Sequence, residues 1–153
     1  MNAEFINPFI KASKDILAQM AGMHSEMGSI YVKDKTFPTS NVAIIIGITG
    51  GLTGQAVLSM SEGMAIKIAS NMMGGLPVAD LDDISRSAIS ELGNMIMGNA
   101  ATLLYNHNLK IDITPPTLLI GEKISISMPN MKALCIPLKT EYGIIELDIA
   151  VKE

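Results

Sequence analysis

Glu91 and Asn94 stand three residues apart in the run Ala88 to Ala100, where most other side chains are apolar or small. On a helix, a step of three residues leaves two side chains about 60° apart and one turn offset, so both can reach one ligand. A carboxylate beside a neutral carboxamide is not a nucleophile and base, because the amide neither gives nor takes a proton at useful pH. An Asn can orient a water. Glu91 would repel an anionic substrate unless it met a cation on a substrate protein. The pair therefore suits in-line attack of a positioned water on a phosphoryl group held by another protein's metal and lysine, where positioning carries most of the catalysis.

The helix that must carry the pair starts near Asp80, Asp82 and Asp83, whose charges complement a helix N-terminus, and runs to about Tyr105. Asn106 or Asn108 can take the left-handed position after it. Ile84, Ala88, Ile89, Leu92, Met95, Ile96, Ala100 and Leu103 fall on one broad arc, the width of a core-facing stripe. Glu91 and Asn94 lie off that arc. Their outer-face neighbours Ser87, Ser90, Gly98 and Ala101 are small enough for another protein's backbone to come close, and these four are the expected partner contacts. Gly93 and Gly98 each cost up to about 1 kcal/mol relative to Ala, so something other than helix propensity selects small residues on this surface.

Around that helix, apolar spacing predicts a first helix over residues 3–21, with Pro8 acceptable near its start, then a short edge strand at 30–33. Val42 to Thr49 and Gly54 to Met60 read as a hairpin across Gly50-Gly51. A phosphate-cradling loop is the weaker reading of GITGGLTG, which lacks a Gly-Lys-Ser/Thr continuation. Ser61 is the expected N-cap of a second helix, ended by Gly74-Gly75. Ile111 to Thr117, with Pro115 and Pro116, reads as a rigid extended connector rather than a central strand. Three strands follow, over 118–128, 131–138 and 144–151, the last with one buried face of Ile145, Leu147, Ile149 and Val151. This order predicts an α+β fold of two layers, an antiparallel or mixed β-sheet of about six strands covered by about three helices.

The 153 residues fit a single domain, 1–153, with 48% hydrophobic residues to fill a core. A net charge of −4 with 17% charged residues offers no basic surface for nucleic acid or an anionic membrane. No apolar run approaches the roughly 20 residues of a membrane span, and MNAEFINPFIK lacks a secretory signal's basic start, so a cytoplasmic location is expected. Cys135, the single cysteine, lies in an apolar run and reads as a small buried hydrophobe. No His, Asp and Glu spacing suggests a metal site of the chain's own.

The helical Glu91-x-x-Asn94 followed by Gly98 resembles the signature of the CheX/CheC/FliY family of chemotaxis phosphatases. GITGG (Gly47 to Gly51), MMGG (Met72 to Gly75) and DITPPT (Asp112 to Thr117) extend the likeness over most of the chain, and it is nearest to the CheX branch, in which a single E-x-x-N survives. The resemblance implies a phosphatase for an aspartyl-phosphorylated, CheY-like response regulator. Asn94 would orient the hydrolytic water and Glu91 would pair with the regulator's lysine. It implies no cofactor of the chain's own, Mg²⁺ being supplied by the bound regulator, and a homodimer. A non-catalytic module that binds a regulator or a flagellar-switch partner is the alternative. A nucleotide-binding domain built on the Gly47 to Gly54 loop is a third.

Overall fold

The computed structural model describes residues 3–128 and 130–153. Met1 and Asn2, the first residues of the segment read as non-secretory, and Pro129, between two expected strands, lie outside the described residues. In chain order the elements are α1 (Ala3–Ala21), β1 (Glu26–Met27), β2 (Tyr31–Lys33), β3 (Thr36–Pro38), β4 (Val42–Gly50), β5 (Thr53–Met60), α2 (Glu62–Met72), α3 (Asp83–Asn106), β6 (Ile111–Ile113), β7 (Thr117–Ile120), β8 (Ser125–Ser127), β9 (Ala133–Thr140) and β10 (Gly143–Lys152). The class is α+β, as the order of elements implied, but the described residues form more strands than about six, because short ones flank four long ones.

Four long strands form the middle of an eight-stranded antiparallel sheet in the order β9-β10-β5-β4. Each outer edge carries two short strands in tandem. β1 and β2 pair with β9 at one end, and β6 and β7 pair with β4 at the other. Pro115 and Pro116 explain the second split. They cannot donate to a ladder, so the strand expected to begin after them pairs with Val42 to Ile45, while Ile111–Ile113 pairs separately with Ile48 to Gly50.

The continuous strand expected over 118–128 is also broken. A turn at Gly121 to Lys123, with Lys123 in the left-handed region (φ 58°), sends β8 off to pair with β3 as a separate two-stranded sheet. That small sheet covers the face of the main sheet turned away from the helices, where Phe37 and Ile126 pack on Ala43, Val57, Ala133 and Ala150. Both faces of the middle strands are therefore buried. This explains why VAIIIGIT is a nearly unbroken apolar run, and it corrects the single buried face expected for the last strand. Ile145, Leu147, Ile149 and Val151 do face the helices, but Asp148 and Ala150 on the other side are buried too.

The helix boundaries follow the caps. Ser61 Oγ accepts the Met64 N–H at 3.1 Å and opens α2; Gly74 and Gly75, at positive φ, close it. Asp82 accepts the Ser85 N–H at 2.9 Å at the start of α3, and this bond holds its carboxyl below the usual range. Asn108, at φ 65°, takes the left-handed position past its end. The Ser61 cap supplies a simple check: Ser61→Ala is expected to lower stability by about 1 kcal/mol in denaturant unfolding.

Candidate active site

α3 lies against Ile44 of β4 on one side and packs on α1 on the other. Its buried residues are Ser85, Ile89, Leu92, Gly93, Ile96, Met97, Ala100 and Leu104, so the buried arc is rotated from the one expected. Ile84, placed in that stripe from the sequence, is instead 68% exposed, because the first turn buries Ser85 in its place. Gly93 also moves to the inner side. A Cβ there would sit 2.8 Å from Ile44 Cγ2, so this glycine sets how closely the helix approaches the sheet. Gly98 is different: a Cβ there would meet nothing within 4 Å.

These two glycines give a test of opposite sign. Gly93→Ala gains up to about 1 kcal/mol of helix propensity but forces an overlap costing about 1–3 kcal/mol, for a net loss in unfolding experiments. Gly98→Ala meets no such overlap and is expected to raise stability by up to about 1 kcal/mol.

Glu91 is exposed and Asn94 half-buried, and both line an open groove of about 1180 Å³ between α3 and the edge strands β6 and β7. Among the described residues, neither side chain has a hydrogen-bond or ion-pair partner. The α3 wall is polar, with Asp83, Arg86, Ser87 and Ser90 beside the pair. Ser87 and Ser90 thus share the groove with Glu91 and Asn94. Gly98 and Ala101 continue the same helix face beyond the groove, and Ala101 packs partly onto the core.

The opposite wall is Ile113, Thr114, Pro115, Pro116, Leu118 and Ile120, the first four from the expected rigid connector and the last two from the strand expected after it. It is pinned to β4. The Thr114 N–H donates to Gly47 O at 3.0 Å, and the Gly47 N–H donates to Thr114 Oγ1 at 2.8 Å. A side chain at Gly47 would strike Thr114, since a Cβ there lies 2.9 Å from Thr114 Cγ2. The glycine of GITGG therefore works as a seat for the wall. The Gly51 N–H is likewise spent on Lys110 O at 2.8 Å, which removes it from any phosphate cradle. Asn71, just before the MMGG segment, donates to Ala21 O at 2.8 Å and closes the end of α1.

Spacing gave no sign of a second polar cluster on the far face of the sheet. Lys33 of β2 reaches Glu146 at 2.5 Å and Asp148 at 3.0 Å, and the Cys135 thiol donates to Glu146 at 3.4 Å. Cys135, Glu146 and Asp148 offer ligand atoms within 4.8 Å of one another, a grouping not foreseen for a chain expected to hold no metal. In this structure the Lys33 ammonium bonds to both carboxylates. Cys135 is thus buried among charges rather than in a purely apolar setting, and burial pushes its thiol up.

Residues 42–139 match the family model for chemotaxis phosphatase CheX. The CheY-P phosphatase CheX of Thermotoga maritima is 34% identical over 126 residues, which cover 82% of this chain and 81% of that one. A crystal structure of CheX from Desulfovibrio desulfuricans superposes with a TM-score of 0.88 at 26% identity, over 97% of this chain and 99% of that one. The CheX-CheY-BeF3-Mg²⁺ complex from Borrelia burgdorferi aligns with a TM-score of 0.82 at 31% identity, over 97% of this chain and 98% of that one. The family match and the identity to the Thermotoga maritima protein make the chain a member of the CheX family of chemotaxis phosphatases.

Proposed function

We propose that this chain, acting as a single domain, hydrolyses the aspartyl phosphate of a CheY-like receiver domain. The observation that carries the reading is the pair Glu91 and Asn94, lining one open groove and without a hydrogen-bond or ion-pair partner among the described residues. The Asn94 amide holds the attacking water in line, and the Glu91 carboxylate pairs with the receiver's lysine as α3 enters its site. Mg²⁺ comes with the receiver; the Borrelia burgdorferi complex pairs CheX with CheY and Mg²⁺, in support of this division of labour. The substrate is a cytoplasmic signalling protein, so the chain works in the cytoplasm. No described helix is long and apolar enough to cross a membrane.

Phosphate release from a panel of phosphorylated receiver domains tests the reading. At least one receiver is expected to lose its phosphate well above its own rate. Binding with no acceleration for any receiver would replace the phosphatase with a docking module.

The chain also acts as a homodimer on this reading. The sheet edge built from β1 and β2 leaves Met27, Tyr31 and Val32 about half exposed, beside Ile30, an apolar edge suited to pairing with a second copy. Sedimentation is expected to give twice the 16.3 kDa chain mass; a monomer at micromolar concentration would refute it.

A further inference from the structure

The groove has two unlike walls, and only the polar one has a chemical task so far. On the phosphatase reading, the acyl phosphate meets a water on Asn94 in this groove, which brings the receiver segment that carries it alongside the other wall. That wall is apolar and rigid. Pro115 and Pro116 have fixed φ and no N–H, and the Thr114 to Gly47 pair of hydrogen bonds locks them to β4. Ile120, at the end of β7, is 38% exposed among the residues lining the groove. The wall is thus held in place before any partner arrives, which lowers the ordering cost of binding.

We propose that Pro115, Pro116 and Ile120 determine which phosphorylated receiver domain this chain accepts, by seating the apolar part of the receiver's phosphorylation-site loop opposite Glu91 and Asn94. The inference rests on the phosphatase reading and adds a division within the groove. One wall positions the water, and the other sets affinity and selectivity. Charge fits the same occupant, because the polar wall carries Asp83 and Glu91 against Arg86 alone, leaving an acidic excess for a cationic site lysine.

Two variants test it, Ile120→Ser for the apolar contact and Pro115→Ala/Pro116→Ala for the rigid ridge. Each is assayed for kcat and KM over the receiver panel, for affinity toward a beryllofluoride-activated receiver, and for sedimentation. Expected are a KM and a dissociation constant raised about tenfold for the preferred receiver, kcat within about twofold of wild type, and a flattened ranking across the panel. Ile120 is partly exposed at a strand end, so its variant keeps the test informative if the proline variant unfolds. Unchanged affinity and ranking in Ile120→Ser would overturn the proposal while leaving the phosphatase reading intact. A change in self-association without a change in receiver binding would also overturn it, by making the groove a face between copies. Absence of phosphate release by the wild-type chain is a separate failure, of the phosphatase reading itself.

Discussion

Asn94→Ala is expected to slow phosphate release from the phosphorylated receiver about 100-fold, close to 2.7 kcal/mol of transition-state stabilisation, the scale lost with one positioning donor elsewhere. The reason is geometric. Asn94 is neutral, so its removal changes no charge and no proton inventory; it removes only the group that fixes the water's line of approach. The amide has no partner among the described residues, so the fold should keep its stability, and the loss should fall on kcat with KM little changed. Glu91→Gln should behave differently, because a carboxylate paired with a lysine contributes to the bound complex as well, so KM should rise. A fully active Asn94→Ala would sink the assignment. Retention of activity together with loss of binding would move Asn94 from chemistry to docking.

The helix and its outward pair were legible in the sequence because periodicity and caps are local. Ser61 caps α2 as expected, Asp82 among the three aspartates opens α3, and Asn108 rather than Asn106 takes the left-handed position past its end. The groove was not legible. Its second wall comes from Thr114 to Ile120, brought opposite Glu91 by the pairing of β6 and β7 with β4, and a sequence carries no direct mark of which strand a proline-rich segment will flank. Pro115 and Pro116 spoke only to what they forbid, an uninterrupted strand. Gly93 misled for a related reason. A glycine on a helix advertises close approach but not by what, and here the neighbour is Ile44 of the same chain. Asp148 was misread most. Alternation put it on a solvent face, and only β3 with β8, short strands of weak pattern, turns that face into a second interior.

That second interior sets the largest expected effect on stability. Lys33→Met should cost about 3–5 kcal/mol at neutral pH, the usual penalty for removing one partner of a buried ion pair. Lys33 is nearly buried, its Nζ lies 4.7 Å over the Phe37 ring, and among the described residues it is the cation that faces both carboxylates. Burial opposes its charge, but the Glu146 hydrogen bond and the Asp148 charge outweigh that and hold the ammonium firmly protonated. Burial likewise raises the Glu146 carboxyl, yet bonding to Lys33 leaves it below the usual range; Asp148, with no exposed surface and one oxygen unpartnered, is pushed up by burial. Without Lys33 both carboxylates lose their counter-charge, and their folded pKa values rise above the unfolded ones. A group raised in this way favours the folded state below the unfolded pKa and loses that advantage as pH climbs through the folded value. Denaturant unfolding of Lys33→Met should therefore show a deficit that shrinks as pH falls toward about 4, the ordinary carboxylate range. Replacing the cluster as a whole, Lys33→Met with Glu146→Leu and Asp148→Leu, should recover most of the loss, since an apolar set of similar volume leaves no charge uncompensated. The cluster sits on the face away from α3 and near the opposite sheet edge from β6 and β7, so phosphatase turnover per folded molecule should stay at the wild-type level. A loss below about 1 kcal/mol at neutral pH, within the range of exposed pairs, would mean that water reaches the carboxylates and that Lys33 is a surface contact after all.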